Sequence, residues 1–164
     1  EDSNKVSNEN LEAVSERKGY QNVILTALRI LDAKTGAKME TILSGQDIIF
    51  EVDYRSKSSA KIKDFDLNLT VLTDLGQYVT VFNSKMASMK FHDIESIGTV
   101  KCFVPNFPLM KGNYVLNVAL HIKGYKEDEI ENAVNLTVES GDFYSTGYNN
   151  DWGLQGVFVD QEWK

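Results

Sequence analysis

The chain has 164 residues, of which 42% are hydrophobic and 25% charged, and 17 Lys and Arg against 24 Asp and Glu give a formal net charge of −7. This composition is typical of one globular domain with its own core, and the lack of a basic block argues against nucleic acid as a partner. A single cysteine excludes an intrachain disulfide and no apolar run approaches the ~18 residues of a membrane helix, so we expect a soluble domain in a reducing compartment.

Residues 1–18 are mostly charged and polar, and their only apolar members are Val6, Leu11, Ala13 and Val14. A segment with so little apolar surface is expected to remain flexible. The N-terminus is too polar for a signal peptide, and the chain does not begin with Met. We therefore predict a flexible linker from an upstream domain over residues 1–18 and one folded domain over residues 19–164.

From Tyr20 onward, short runs rich in β-branched and aromatic residues alternate with clusters of Gly, Asn, Asp and Ser. Such runs are typical of successive strands. Eight strands are predicted, in the runs YQNVILTALRILD, DIIFEVDYRS, FDLNLTVLTD, QYVTVFN, GTVKCFV, NYVLNVALHIK, ENAVNLTVES and GVFVDQEW. No helical periodicity of useful length appears between them. The expected fold class is all-β, a β-sandwich.

Three of these runs alternate between apolar and polar residues, which separates an inward face from an outward one. If the three strands are neighbours in one sheet, their outward residues form one polar surface. Its members are Asn68, Thr70, Asn117, His121, Asn135 and Thr137. Asparagine carries donors and an acceptor on a short arm, which suits the paired hydroxyls of a pyranose. Two interpretations remain: a sugar-binding surface, or positions that are polar because they meet water.

The sequence contains no P-loop, dinucleotide fingerprint, GxSxG or HExxH motif, so we expect a non-enzymatic domain without a cofactor or metal. A glycosidase pair among Asp53, Asp66 and Asp74 is the alternative, because sequence does not give the separation of their carboxyl groups. Cys102 is interpreted as a small buried hydrophobic residue in preference to a nucleophile. The run KEDEIE lacks the spacing of a calcium loop and is predicted to be a solvated acidic loop.

Six segments occur in a fixed order from about Val23 to Trp163. They are LDAKTG, LSGQDIIFEVDY, FDLNLTVLTDLGQYV, VPNFPLMKGNYVLNVALHI, AVNLTVESGDFYSTG and GLQGVFVDQEW. In this order the chain resembles the C-terminal domain of the ATPase subunit of ABC transporters that export O-antigen polysaccharides, the Wzt family. Each piece alone is weak, and the order and spacing make the resemblance specific. The departures are the acidic KEDEIE loop and a tail in which Gly153 and Gly156 bracket Leu154 and Gln155.

The resemblance implies an immunoglobulin-like antiparallel sandwich whose exposed concave sheet recognises the capped non-reducing end of a polysaccharide. It also implies a homodimer that exchanges the C-terminal strand, a membrane subunit as partner of the full-length protein, and a cytoplasmic location peripheral to the inner membrane. Arg55 and His121 are then the outward cations that could contact an anionic cap, and Arg55 suits it better because the planar guanidinium matches carboxylate or phosphate oxygens. The alternative for Arg55 is a solvated residue at a strand end. An immunoglobulin-like structural or protein-binding domain is the competing function.

Overall fold

The computed structural model describes residues 9–89, 91–149, 151 and 153–164. Eight strands make up the fold: β1 (Val23–Asp32), β2 (Thr41–Leu43), β3 (Ile48–Ser56), β4 (Phe65–Thr73), β5 (Tyr78–Asn83), β6 (Ile97–Val104), β7 (Gly112–Ile122) and β8 (Tyr125–Glu139). They form a three-stranded sheet in the order β1-β3-β6 and a five-stranded sheet in the order β2-β8-β7-β4-β5. The predicted all-β, immunoglobulin-like sandwich is confirmed. The short β2–β8 pair is parallel, so the sandwich is not wholly antiparallel.

The core lies between the two sheets and follows from the alternation of apolar residues in the strands. Every second residue of β3, β4 and β7 is buried along most of each strand, because successive side chains point to opposite sheet faces. Phe50 of β3, Phe65 of β4 and Tyr114 of β7 are at most 1% exposed. Phe50 lies edge-on to Phe107, with ring centroids 6.3 Å apart. This packing leaves the polar residues of β4, β7 and β8 on the outside of the five-stranded sheet.

The acidic run KEDEIE is not the solvated loop that the sequence predicted, because it forms the first half of β8. Glu127 and Asp128 are both buried. Residues 18–21 run alongside this half of the strand, and the amide of Lys18 donates to the carbonyl of Glu129 at 3.1 Å. Gly19, with a φ of 116°, passes so close to β8 that a Cβ would lie 2.6 Å from the main chain of Glu127. Sequence reasoning missed the strand because ionic and main-chain partners, not apolar periodicity, stabilise it.

The N-terminal segment also differs from the predicted flexible linker over the part that the structure describes. Leu11 is 0% exposed, and its amide donates to the carbonyl of Thr26 at 2.9 Å. The amide of Leu28 donates to the carbonyl of Glu9 at 3.1 Å. Residues 9–11 therefore pair with β1, and the described part of the segment belongs to the folded domain. The remainder of the predicted linker, residues 1–8, lies outside the described residues.

The last predicted strand, GVFVDQEW, is not a strand in this fold. Its only ladder contact in the described chain is a single bridge between Val157 and Leu109. Beyond this point Val159 is 65% exposed and Trp163 is 89% exposed. The strand that the sequence did not reveal is β2, which has three residues and one buried side chain, Ile42, and is too short to show alternation.

Candidate functional site

The three strands that carry the predicted polar surface are neighbours in the five-stranded sheet, with β7 between β4 and β8. Thr70 of β4 lies directly opposite Asn117 of β7. Residues that face each other in an antiparallel pair project to the same side of the sheet. The alternation of each strand extends this side to all six predicted residues: Asn68, Thr70, Asn117, His121, Asn135 and Thr137. We call this side, formed by the outward residues of β8, β7, β4 and β5, the outer face.

A cleft of about 350 Å³ opens beside the outer face at its β8 end. Asn135 and Thr137 line it together with Asn113, Thr41 and Asp74. The hydroxyl of Thr137 donates to Oδ1 of Asn113 at 3.5 Å, and Thr41 pairs with Thr137 across the β2–β8 ladder. The volume lies within the ~300–1,000 Å³ range of small-molecule sites. Two of the six predicted residues thus line a cleft of ligand size.

A network of polar side chains lies at the opposite end of the outer face, where β4 meets β5. Nδ2 of Asn83 donates to Oδ1 of Asp66 at 3.0 Å and also to Oδ1 of Asn68. The hydroxyl of Ser84 donates to the same Asp66 oxygen at 2.9 Å. The network fixes the orientation of the Asp66 and Asn68 side chains on the sheet surface.

The middle of the outer face belongs to β7, where Asn117, Ala119 and His121 follow one another on the same side. Oδ1 of Asn117 accepts a 2.8 Å hydrogen bond from the amide of Asn132, at the point where the β7–β8 register is interrupted. His121 lies opposite Asp66, and its Nδ1 is buried with no hydrogen-bond partner among the described residues. The structure therefore brings both ends and the middle of the predicted surface onto one continuous face.

Arg55 is separated from the other six predicted residues. It lies on β3 in the three-stranded sheet, and its Nη1 is 2.6 Å from Oε1 of Glu12. Half of the Arg55 side chain remains exposed. The geometry fits the alternative interpretation of Arg55, a solvated residue near a strand end, and does not place it with the polar residues of the outer face.

The three acids considered as a glycosidase pair are distributed over the molecule. Asp53 lies on the three-stranded sheet, where Nη2 of Arg29 is 2.6 Å from its Oδ1 and the hydrogen bonds from Arg29 lower the pKa of the Asp53 carboxyl. Asp66 and Asp74 are eight positions apart on β4 and the turn that follows it, which corresponds to roughly 25 Å at about 3.3 Å per residue. Catalytic carboxyl pairs are about 5–9.5 Å apart, so these three acids do not form one.

Cys102 lies beside a second cleft, of about 480 Å³, between the edge strands β5 and β6. Met86, Met89 and Phe91 also line this cleft. Burial raises the pKa of the Cys102 thiol, which disfavours the thiolate that a nucleophile requires. Among the residues that the structure describes, no three His, Cys, Asp or Glu side chains form a group that could hold a metal ion.

The binding surface predicted from the sequence left out several polar residues of the outer face. They are Asp66, Asn83, Ser84, Asn113 and Thr41. Asp66 and Asn113 share the alternation of the predicted residues on β4 and β7, so the same alternation in the sequence could have assigned them to the outer face. Asn83 and Ser84 stand at the end of β5, and only the pairing of β5 with β4 reveals their position.

Two comparisons relate the chain to known proteins. The family model described as the Wzt C-terminal domain matches residues 14–156. The crystal structure of the C-terminal domain of Wzt superposes with a TM-score of 0.71 at 15% identity, covering 98% of this chain and 96% of that one. A Niemann-Pick type C2 protein from Japanese carpenter ant superposes with a TM-score of 0.51 at 10% identity, covering 77% and 99%. At these identities the two structures show a shared fold.

A search of curated proteins found no match for this chain. The described residues contain no apolar helix of membrane-spanning length.

Proposed function

This chain belongs to the Wzt C-terminal domain family, and from that membership we propose that it binds the O-antigen polysaccharide carried by its ABC transporter through the outer face. The family implies a carbohydrate-binding role in O-antigen export. Fold likeness alone does not assign a ligand, so the assignment to this face rests on the chemistry of the side chains.

The observation that carries the proposal is the convergence of uncharged hydrogen-bonding side chains on one side of one sheet. The proposed contacts are Asn68, Thr70, Asn117, His121, Asn135 and Thr137. Amides and hydroxyls offer donors and acceptors on short arms, which matches the hydroxyl groups of a sugar. From Asn113 to His121 the face extends over eight residue steps of β7, or roughly 27 Å at about 3.4 Å per step. That length supports contact with more than one sugar of a polymer.

In this proposal the domain binds glycan without cutting it. The three acids considered as a glycosidase pair lie apart: Asp53 is engaged by Arg29 on the other sheet, and Asp66 is far from Asp74. Recognition is directed at the capped non-reducing end of the polysaccharide, so that export depends on completion of the chain. The competing function, an immunoglobulin-like structural or protein-binding domain, makes no use of the polar outer face.

The proposal includes a homodimer formed through the C-terminal segment. In the described chain this segment is attached at Gly156, whose carbonyl accepts a 2.9 Å hydrogen bond from the amide of Met110, and by Phe158, which stacks on Phe143 with ring centroids 4.9 Å apart. The exposed Val159 and Trp163 that follow supply apolar surface for a second copy. Exchange of an identical terminal element is a low-cost route to a symmetric dimer.

The remaining partner in the proposal is the membrane subunit of the transporter, which the full-length protein contacts, and the proposed location is the cytoplasm at the inner membrane.

The test of the proposed function is calorimetric titration of the domain with O-polysaccharide from the producing cells, intact and with the non-reducing end removed by exoglycosidase. Binding of the intact polymer with at least tenfold weaker binding of the trimmed polymer is expected. No binding of either polymer supports the competing function.

A further inference from the structure

We propose that the sugar bound on the outer face lies over Ala119, and that it is an uncharged, hydroxyl-rich pyranose whose hydroxyls donate to the carboxylate of Asp66. The Ala119 site comprises Asp66, Asn68, Asn117, Ala119 and His121. This inference rests on the proposed glycan-binding function and adds to it the position and the chemical class of the recognised sugar.

Ala119 leaves space at the centre of the outer face. It is flanked along β7 by Asn117 and His121, two residues away on either side, and lies opposite Asn68 on β4 and Glu129 on β8. A strand rises about 3.4 Å per residue, so Asn117 and His121 are separated by roughly 14 Å. The methyl group of Ala119 is the smallest side chain among these five. Its four neighbours therefore surround a depression in which a sugar ring can approach the sheet.

Hydrogen-bonding groups around this depression have no partner within the part of the chain that the structure describes. Oδ1 of Asp66 accepts from Asn83 and Ser84, whereas Oδ2 accepts no bond in that part. Oδ1 of Asn68 and Oδ1 of Asn117 are each engaged, and both side-chain amide nitrogens are without an acceptor there. A carboxylate oxygen with two lone pairs and two amide donors matches the mixed donor and acceptor character of sugar hydroxyls.

Asp66 is oriented before any ligand arrives. Nδ2 of Asn83 donates to Oδ1 of Asp66 and to Oδ1 of Asn68. Ser84 donates to Asp66 at 2.9 Å and accepts at 3.0 Å from the amide of Leu67, which anchors the hydroxyl to β4. A ligand that meets groups already held in place loses less affinity to ordering them. This support distinguishes Asp66 from a solvated strand carboxylate.

The charges around the Ala119 site disfavour an anionic sugar. Asp66 has no ion-pair partner among the described residues, because the nearby Lys85 is 3.1 Å from Asp64 and Lys126 is 2.7 Å from Glu129. On the other side of β7, Glu129 lies opposite Ala119 and Lys126 lies opposite His121. A phosphate or carboxylate over Ala119 would face the carboxylates of Asp66 and Glu129, and like charges in such proximity repel. The site therefore selects an uncharged sugar.

Two variants and their matched controls test the inference, with O-polysaccharide from the producing cells as the probe. Asp66→Asn preserves size and removes the carboxylate, and it should weaken binding at least tenfold because hydrogen bonds to charged groups are the stronger ones. Asp64→Asn makes the same change just before β4, outside the Ala119 site, and should bind as the unmodified domain does. Ala119→Leu should abolish binding by filling the depression, whereas Ala60→Leu, at an exposed position after β3, should have no effect.

The class of sugar is tested with the same polysaccharide after dephosphorylation and reduction of its carboxyl groups. An affinity within threefold of the untreated polymer is expected, and a loss of tenfold or more would overturn the uncharged class. If the unmodified domain binds while Asp66→Asn and Ala119→Leu, melting normally, bind equally well, the Ala119 site is wrong and the proposed function stands. If the unmodified domain binds no polysaccharide, the proposed function fails together with this inference.

Discussion

Nη1 of Arg17 lies 2.8 Å from Oδ2 of Asp128, and the two side chains are 5% and 0% exposed. The same carboxylate oxygen accepts a 2.7 Å hydrogen bond from the amide of Leu25 on β1. Burial raises the pKa of Asp128, and the Leu25 amide and the Arg17 charge oppose that effect. One ion pair thus connects the N-terminal segment, β1 of the smaller sheet and β8 of the sheet that carries the outer face.

Removing the cation from this pair should destabilise the domain strongly. Arg17→Met leaves the Asp128 carboxylate buried without its partner, and breaking a buried pair in this way costs about 3–5 kcal/mol. Urea unfolding followed by far-ultraviolet circular dichroism, which reports the loss of the strands, measures the change in the free energy of unfolding. The control is Lys38→Met, which breaks an exposed pair with Glu9 and should cost no more than about 1 kcal/mol. Equal losses in the two variants would show that Arg17 does not have this structural role.

The turn after β1 should make stability sensitive to acid. Hydrogen bonds from the Gln46 side chain and from the Thr35 amide lower the pKa of Asp32 to about 2 from an ordinary value of 3.8. A lowered folded-state pKa means that the stabilisation is complete above the unfolded value and is lost as the pH falls towards the folded one. The melting temperature of Asp32→Asn should therefore be lower than that of the unmodified domain at pH 6, and the difference should shrink between pH 4 and 2. A constant difference would contradict this assignment.

The cleft end of the outer face should contribute to glycan affinity without contributing to the fold. Asn135→Ala and Thr137→Ala each remove a hydrogen-bonding group from the proposed site, which costs about 1–3 kcal/mol of binding. Both side chains project away from the core, so the melting temperatures should not change. Arg55→Ala on the opposite sheet is the control and should bind normally. Loss of affinity in Arg55→Ala with full affinity in the other two would move the site to the three-stranded sheet.

The C-terminal segment should determine the oligomeric state. Truncation after Phe158 keeps the stack on Phe143 and removes the exposed residues 159–164, so a folded monomer is expected in sedimentation velocity. Truncation after Gly153 removes the stack as well and should give monomer or aggregate. A stable dimer after truncation at Phe158 would show that the dimer interface lies elsewhere.

The alternation of residues in β3, β4 and β7 was enough to predict the sandwich and the polar surface. A strand with one face on the core and the other in water alternates between apolar and polar residues. The same rule failed where stabilisation comes from specific partners. Asp128 looks like a solvated acid in sequence, and its burial depends on Arg17, which is 111 positions away. GVFVDQEW has the composition of a strand, but within the described chain it forms only one isolated bridge, between Val157 and Leu109, outside the named strands. The support of Asp66 by Asn83 likewise depends on pairing between strands.

NMR chemical-shift perturbation mapping on the isotopically labelled domain tests most directly whether the outer face binds the O-polysaccharide of its own transporter. Addition of the producing cells' polysaccharide should shift the amide and side-chain resonances of Asn68, Asn117 and Asn135, which lie on three neighbouring strands. Resonances of the three-stranded sheet, such as that of Arg55, should stay in place. Shifts confined to the three-stranded sheet, or no shifts at saturating polysaccharide, would contradict the account.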